Sequence, residues 1–441
     1  MLHKLLYGYN FFRKNKNIIP LSRKGDFMND IFDKIREKGP LTQFRDIGEG
    51  YFMFPKLQGE LGPRMKFNGQ EMIMWSINDY LGLGNHPEIR KADAEAAAKW
   101  GLAYPMGSRP MSGHTDLHEQ LERELAEFSG KEAAYLLNFG YQGNVSIIDA
   151  LVNKNDVIVY DIDSHASIID GVRLHQGKRF TFMHNDVESL EKNLIRAQRI
   201  IEKTGGGILV ISEGVFGMRG EQGILKEIVE LKKKYNFRIY IDDAHGFGTL
   251  GEGGRGTHFE QDVVDEIDVY FATFAKSMAS IGAFVSGDYE VIKYLQYNMR
   301  SQVYAKSMPM PLVEGALKRL DMIRSHPELK DQLWDVALRL QHGLTEAGFD
   351  IGKTDTAITP VYLHVDPLEA GMLVRDLRDN HKIFTSIVIY PVIPKGMIIL
   401  RLIPTTRHTQ AEIDETIEAF KAIREKQEAG IYRELAKDIK L

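Results

Sequence analysis

Val269-Tyr270-Phe271-Ala272-Thr273-Phe274-Ala275-Lys276-Ser277 reads as an apolar strand that carries a lysine just past its end. A second run, Arg238-Ile239-Tyr240-Ile241-Asp242-Asp243-Ala244-His245, ends in two aspartates and a histidine. Open α/β sheets place ligands at the carboxyl ends of their strands. A lysine desolvated there has a depressed pKa and a neutral amine able to form a Schiff base, while an acid at a neighbouring strand end can bind a pyridine nitrogen. Taken singly, Lys276 reads as a solvated corner residue and the two aspartates as caps or turn residues. The pairing predicts pyridoxal phosphate (PLP) as cofactor.

Working outward, apolar runs alternate with amphipathic stretches from about 85 to 320, the pattern of a mainly parallel sheet with helices on both faces. Strands are expected at Ala133–Leu137, Val157–Tyr160, Gly207–Ser212, Arg238–Asp242, Val269–Thr273 and Ala283–Ser286. Helices are expected at His118–Phe128, Val187–Thr204, Lys226–Tyr235 and around Pro311–Ser325. A different order follows: helix Asp331–Ala347, strand Thr359–Val365, helix Glu369–Asn380, strand Met397–Ile403 and helix Gln410–Glu428. This predicts a smaller α/β domain packed on the first, with a site between them.

The chain has 441 residues, 43% hydrophobic and 27% charged, enough for a large core and two or three domains. A net charge of −5 gives no basic field for nucleic acid, so no nucleic-acid partner is expected. The absence of cysteine rules out disulfides, thiolate catalysis and cysteine-ligated zinc, and a cytoplasmic setting fits it most simply. No stretch matches a transmembrane helix or a signal peptide core. Residues 1–27 interleave six basic residues with aromatic and leucine side chains, a composition compatible with peripheral membrane contact. A disordered tail, or an upstream start ahead of Met28, is the plainer reading.

Several motifs compete for attention. Gly251-Glu252-Gly253-Gly254-Arg255-Gly256 has the glycine spacing of a dinucleotide fingerprint but does not directly follow a strand, so a surface loop is expected. His114 and His118 stand four apart without an evident third ligand, so no metal is expected, and Thr115 or Asp116 reads as a helix cap. Arg401 lies in the otherwise apolar Met397–Ile403 and needs an anion, either an internal carboxylate or a substrate carboxylate. Asn138-Phe139-Gly140-Tyr141-Gln142-Gly143-Asn144 enters a helix whose first amides can hold a phosphate. His165 follows the next strand, at a place from which it can stack on a cofactor ring.

Asn78-Asp79-Tyr80-Leu81-Gly82-Leu83, Ser164-His165-Ala166-Ser167-Ile168-Ile169-Asp170-Gly171, Asp242-Asp243-Ala244-His245 and Thr273-Phe274-Ala275-Lys276-Ser277 occur in this order. In these motifs the chain, from Trp75 to His408, resembles the α-oxoamine synthases, PLP-dependent acyltransferases. The resemblance implies the aminotransferase-like PLP fold type I. Its large domain, with a mainly parallel seven-stranded sheet, would span residues 85–325. A smaller C-terminal α/β domain would span 326–441, after an extension (1–27) and an N-terminal arm (28–84). It implies Lys276 as Schiff-base lysine and acid/base, Asp242 on the pyridine nitrogen, His245 near the phenolic oxygen and His165 on the ring. Gly140, Tyr141 and Thr273 match cofactor contacts, and Asn78 and Arg401 match the residues that bind the amino-acid carboxylate. The substrates implied are an acyl-CoA, or an acyl carrier protein thioester, and a small amino acid, with active sites shared in a homodimer.

Thr273-Phe274-Ala275-Lys276-Ser277 and Gly107-Ser108-Arg109 resemble the serine-using members, and the small Ser108 leaves room for a substrate side chain. Serine is therefore the main expectation. The chain departs from the family where Gly217 replaces a serine at the cofactor and where Tyr304-Ala305-Lys306-Ser307 replaces Phe-Ser-Ala-Ser, putting Ala305 and Lys306 at cofactor-contacting positions. With Arg407 beside the carboxylate clamp, Lys306 raises cysteate as the close rival, since a sulfonate needs its own cation. Plainer readings are that Lys306 replaces lost phosphate contacts and that Arg407 is a surface residue. Glycine, an aminotransferase reaction and a non-catalytic scaffold subunit are the remaining readings.

Overall fold

A computed structural model describes Gly39 and residues 48–437; the segment 1–27 lies outside the described residues. Seven strands form the central sheet in the order Ala133–Leu137, Ala283–Gly287, Val269–Thr273, Arg238–Asp242, Ile208–Glu213, Val157–Asp161, Lys178–Phe182. Ala283–Gly287 alone runs antiparallel to its neighbours. Ile239 and Ile241 pack into the apolar cluster on one face of this sheet and Tyr240 into the cluster on the other. Burial on both faces is why these strands are continuous apolar runs rather than alternating ones.

The six expected strands form within a residue at either end, and helices Val187–Thr204 and Gln410–Glu428 form as read. The seventh strand, Lys178–Phe182, was not foreseen from its residues. It lies at the sheet edge, where Lys178 and Arg179 are exposed and blunt the apolar signal. The expected strands Thr359–Val365 and Met397–Ile403 are shorter, at Thr359–Tyr362 and Ile399–Leu402, and join Ser386–Val388 in a separate antiparallel sheet.

The glycine run Gly251–Gly256 is not the surface loop expected. Gly251, Gly254 and Gly256 are buried, and a short helix, Thr257–Glu260, starts directly after it. Gly256 has φ +117°, and a Cβ there would lie 2.5 Å from both Asp243 Oδ2 and the Tyr270 hydroxyl. The run brings Thr257 onto Asp243, its amide donating at 2.8 Å and its hydroxyl at 2.7 Å.

Strand Gln70–Met74 pairs in parallel with Ile383–Phe384 and leads into Trp75, packed in the C-terminal apolar cluster. Trp75 is fully buried, donates from Nε1 to Thr416 Oγ1 at 2.9 Å and stacks on His408 with ring centroids 3.8 Å apart. Its carbonyl accepts from the Ile403 amide at 2.7 Å. This clasp holds the segment leading to Asn78 against the strand carrying Arg401. No helix among the described residues is long and apolar enough to cross a membrane. Trp75→Ala should remove the clasp and lower stability by about 3–5 kcal/mol in chemical denaturation, the usual cost of emptying a buried aromatic site.

Candidate active site

Glu213, Asp242 and Thr273 end adjacent parallel strands, and Asp242 lies in register with both Glu213 and Phe271. The sheet therefore delivers its polar side chains to one edge. Asp242 is buried; its Oδ1 accepts from the Ala244 amide at 3.0 Å and its Oδ2 from Asn144 Nδ2 at 2.6 Å. Lys276 follows Thr273 by three residues. Burial pushes its ammonium pKa down, as does Arg401, while Asp242 and Glu213 pull it back up. The amine thus sits in a field that favours its neutral, nucleophilic form without removing the carboxylate that would steady its charge.

His245 Nδ1 lies 2.7 Å from the Tyr80 hydroxyl. Burial holds its imidazole well below the ordinary range, reinforced by Lys276 and Arg401. Gly217 is set by this ring: a Cβ there would meet His245 Nε2 at 2.2 Å. The Gly217 carbonyl accepts from Arg401 Nε at 2.5 Å. Arg401 Nη1 approaches Asn78 Oδ1 at 3.4 Å, and its Nη2 is buried without a hydrogen-bond partner among the described residues. No carboxylate among the described residues is in salt-bridge contact with Arg401, so the internal ion pair considered from sequence is not formed. A buried guanidinium donor left unpaired is a place for an incoming carboxylate.

His165 caps helix Ala166–Leu174, and its backbone amide donates to Glu213 Oε1 at 2.5 Å. Burial raises the Glu213 carboxyl well above its ordinary value, and Asp242 adds to the effect. Gly140 opens helix Gly140–Leu151 against the end of the Lys276 strand, where a Cβ would lie 3.0 Å from Thr273 Oγ1. Tyr141 stands beside His165 at 6.2 Å between ring centroids and hydrogen-bonds Asp170.

These residues fit PLP. A lysine with a depressed pKa lies in the field of a buried carboxylate, the helix start at Gly140 lies against Thr273, where amides and a hydroxyl would hold a phosphate, and Arg401 Nη2 has no hydrogen-bond partner among the described residues. Among the sequence-predicted residues, the structure gathers Asn78, Gly140, Tyr141, His165, Gly217, Asp242, His245, Thr273, Lys276 and Arg401. Ser108, Ala305 and Lys306 form a second group. The Gly107 carbonyl accepts from the Ser307 amide at 2.9 Å, and the Lys306 carbonyl accepts from Asn138 Nδ2 at 2.6 Å, two residues before Gly140. Among the described residues, Ser108 and Ala305 make no hydrogen bond to the Lys276 group. Lys306 has no acidic partner there, and burial lowers its pKa. Arg407 is exposed and lies over Gly82, where its charge acts on Glu60 and Asp79.

Sequence reasoning gave no role to Tyr80, Asn144, Ser167 or Glu213. All four fall inside or beside quoted motifs, but their function depends on partners far along the chain. His118, considered as a metal ligand, caps no site: its Nε2 lies 3.0 Å from the Met308 carbonyl in the core.

Residues 70–420 match the family model of aminotransferase class I and II. The chain is 67% identical over 407 residues to a cysteate-C-fatty acyltransferase of Capnocytophaga ochracea, covering 92% of this chain and 97% of that one. It is 34% identical over 389 residues to a serine palmitoyltransferase of Sphingobacterium spiritivorum, covering 88% and 93%. The fold is similar to a serine palmitoyltransferase variant from S. paucimobilis with a bound PLP–myriocin aldimine, with TM-score 0.84, 29% identity and coverage of 91% and 100%.

The turn that presents His165 is pinned by charge. His184 Nδ1 lies 3.2 Å from both Asp161 oxygens, and Arg219 Nε donates to Asp163 Oδ2 at 2.7 Å. Burial alone would lower the His184 pKa, but hydrogen bonding to Asp161 and Glu221 and the charges of Asp161 and Asp163 raise it to about 9. A folded-state pKa above the unfolded value stabilises fully below about pH 6.5, and that contribution fades as pH rises through about 9. Unfolding free energy should therefore fall between pH 7 and 9.5 by about 2 kcal/mol more in the wild type than in His184→Gln, as measured by urea titration at each pH.

Proposed function

The chain belongs to the aminotransferase class I and II family, in its PLP-dependent α-oxoamine synthase branch, and from that premise we propose that it condenses a fatty acyl thioester with cysteate. The carrying observation is the similarity to the Capnocytophaga cysteate-C-fatty acyltransferase along nearly the whole chain. Lys306, a cation without an acidic partner among the described residues, supplies what a sulfonate requires. In the reaction, Cα gives up its proton and bonds to the acyl carbonyl carbon, the thiol departs with a proton, the α-carboxylate leaves as carbon dioxide, and a proton returns to Cα. The product is a 2-amino-3-oxo sulfonate.

Bound PLP supplies the electron sink for the negative charge that develops at Cα. Asp242 keeps a proton on the pyridine nitrogen, and its own hydrogen bonds from Asn144 and Ala244 hold the carboxylate in place. Lys276 holds the cofactor and takes the Cα proton, a task suited to an amine whose pKa is depressed by burial. Arg401 and Asn78 grip the α-carboxylate, while His165 and His245 orient the ring and its phenolic oxygen. Gly140, Tyr141 and Thr273 hold the phosphate.

The active enzyme is a homodimer in the cytoplasm, with Ser108, Ala305 and Lys306 completing the site of the opposite copy. Supporting this, Leu102, Met106, Met111 and Tyr304 are exposed apolar side chains around that second group and need cover. Serine is the second reading, favoured by Ser108 and by similarity to serine palmitoyltransferase.

Incubating the PLP-loaded protein with palmitoyl-CoA and, separately, cysteate, serine or glycine should give the sulfonate product as the main mass. A dominant serine product would move the assignment to the second reading. Lys306→Ala should raise the KM for cysteate about tenfold or more, the loss expected for a charge-assisted contact, with little change for serine. Equal losses with both amino acids would remove its sulfonate role. Lys276→Ala should lose the yellow colour of the holoenzyme and reduce turnover by at least about 10²–10⁴-fold.

A further inference from the structure

We infer that Asn144 and Ser167 form a positioning relay that fixes which nitrogen of His165 carries the proton and ties that ring to the same frame as Asp242. Asn144 lies on helix Gly140–Leu151 and is 2% exposed. Its Nδ2 donates to Asp242 Oδ2 at 2.6 Å and to Ser167 Oγ at 2.9 Å, and its Oδ1 accepts from the Tyr240 hydroxyl. The orientation of the amide is forced, because a carboxylate only accepts and the NH2 edge must face it. Both amide hydrogens and the carbonyl are thereby engaged.

Ser167 Oγ accepts from Asn144 and has one hydrogen left to give. His165 Nδ1 lies 2.7 Å away, and the Ser167 backbone N–H points at the same nitrogen at 3.3 Å. Two donors aimed at one ring nitrogen leave it only an acceptor role, so the imidazole is neutral with its proton on Nε2. Partial desolvation of the ring lowers the His165 pKa in the same sense, with Asp242 opposing and Lys276 assisting. Position at the start of helix Ala166–Leu174 also disfavours a charged ring.

Asp242, Asn144, Ser167 and His165 are thus joined by three consecutive hydrogen bonds. The residue assigned to the cofactor nitrogen and the residue assigned to the ring are thereby linked through Asn144 and Ser167. The inference rests on the PLP site and is independent of which amino acid is condensed.

The test uses PLP-loaded enzyme labelled with ¹⁵N in its histidine rings, with the His165 signals identified by their loss in His165→Asn. The wild type should show a neutral ring protonated on Nε2. In Ser167→Ala the Nδ1 signal should shift as it loses its nearer donor, while PLP affinity stays within about twofold, because no bond to Asp242 is removed. In Asn144→Leu, PLP affinity read by spectroscopic titration should fall about tenfold or more, since Asp242 loses a charge-assisted bond. Should Asn144→Leu fail to fold, Ser167→Ala alone decides the matter. A wild-type ring protonated on Nδ1, or an Nδ1 signal unmoved in Ser167→Ala, overturns the relay. So does wild-type PLP affinity in a folded Asn144→Leu.

Discussion

An amine and a carboxylate withdrawn together from water are the constraint around which this molecule is organised. Burial lowers the Lys276 pKa, and a buried carboxylate such as Asp242 is costly without hydrogen-bond partners. Each is made tolerable by neighbours: Asp242 by the Asn144 amide and the Ala244 N–H, Lys276 by the field of Asp242 and Glu213. Arg401 works against the lysine, and its unpaired Nη2 leaves the site one buried donor in excess. A site so charged is complementary to a phosphate-bearing aldehyde and an amino-acid carboxylate, which bring the missing negative charge.

Glycine packing sets how closely these groups approach. Gly140 lets a helix start press on Thr273, and Gly217 lets the His245 ring occupy the place of a side chain while its carbonyl receives Arg401. The same logic governs the loop at Gly256, which closes on Asp243 behind the site. There, burial pushes the Asp243 carboxyl up to about 7 even though Thr257 and Tyr270 bond it. These glycines act through partners tens of residues away.

That distance explains what could be read from the chain. Strands Arg238–Asp242 and Val269–Thr273 declared themselves because both faces are buried, and with them came Asp242, Thr273 and Lys276 at their ends. Lys178–Phe182 was not legible because exposed Lys178 and Arg179 interrupt its apolar run at the sheet edge. The glycine run at 251–256 looked like a surface loop because nothing local reveals that Asp243 and Tyr270 lie against it. Asn144 was visible as a residue but not as a link, since Asp242 and Tyr240 reach it only through the sheet. Among the described residues, Ser108 and Ala305 make no hydrogen bond to the Lys276 group, and no local signal in the sequence marks that separation.

Among the described residues, Lys276 is the amine whose place and depressed pKa suit capture of the cofactor. Borohydride reduction of the PLP-loaded protein, followed by peptide mass mapping, tests this most directly. The account predicts a pyridoxyl phosphate label on the peptide carrying Lys276 and on no other lysine. A label on Lys306 or another lysine in its place, or no stable label at all, would contradict it.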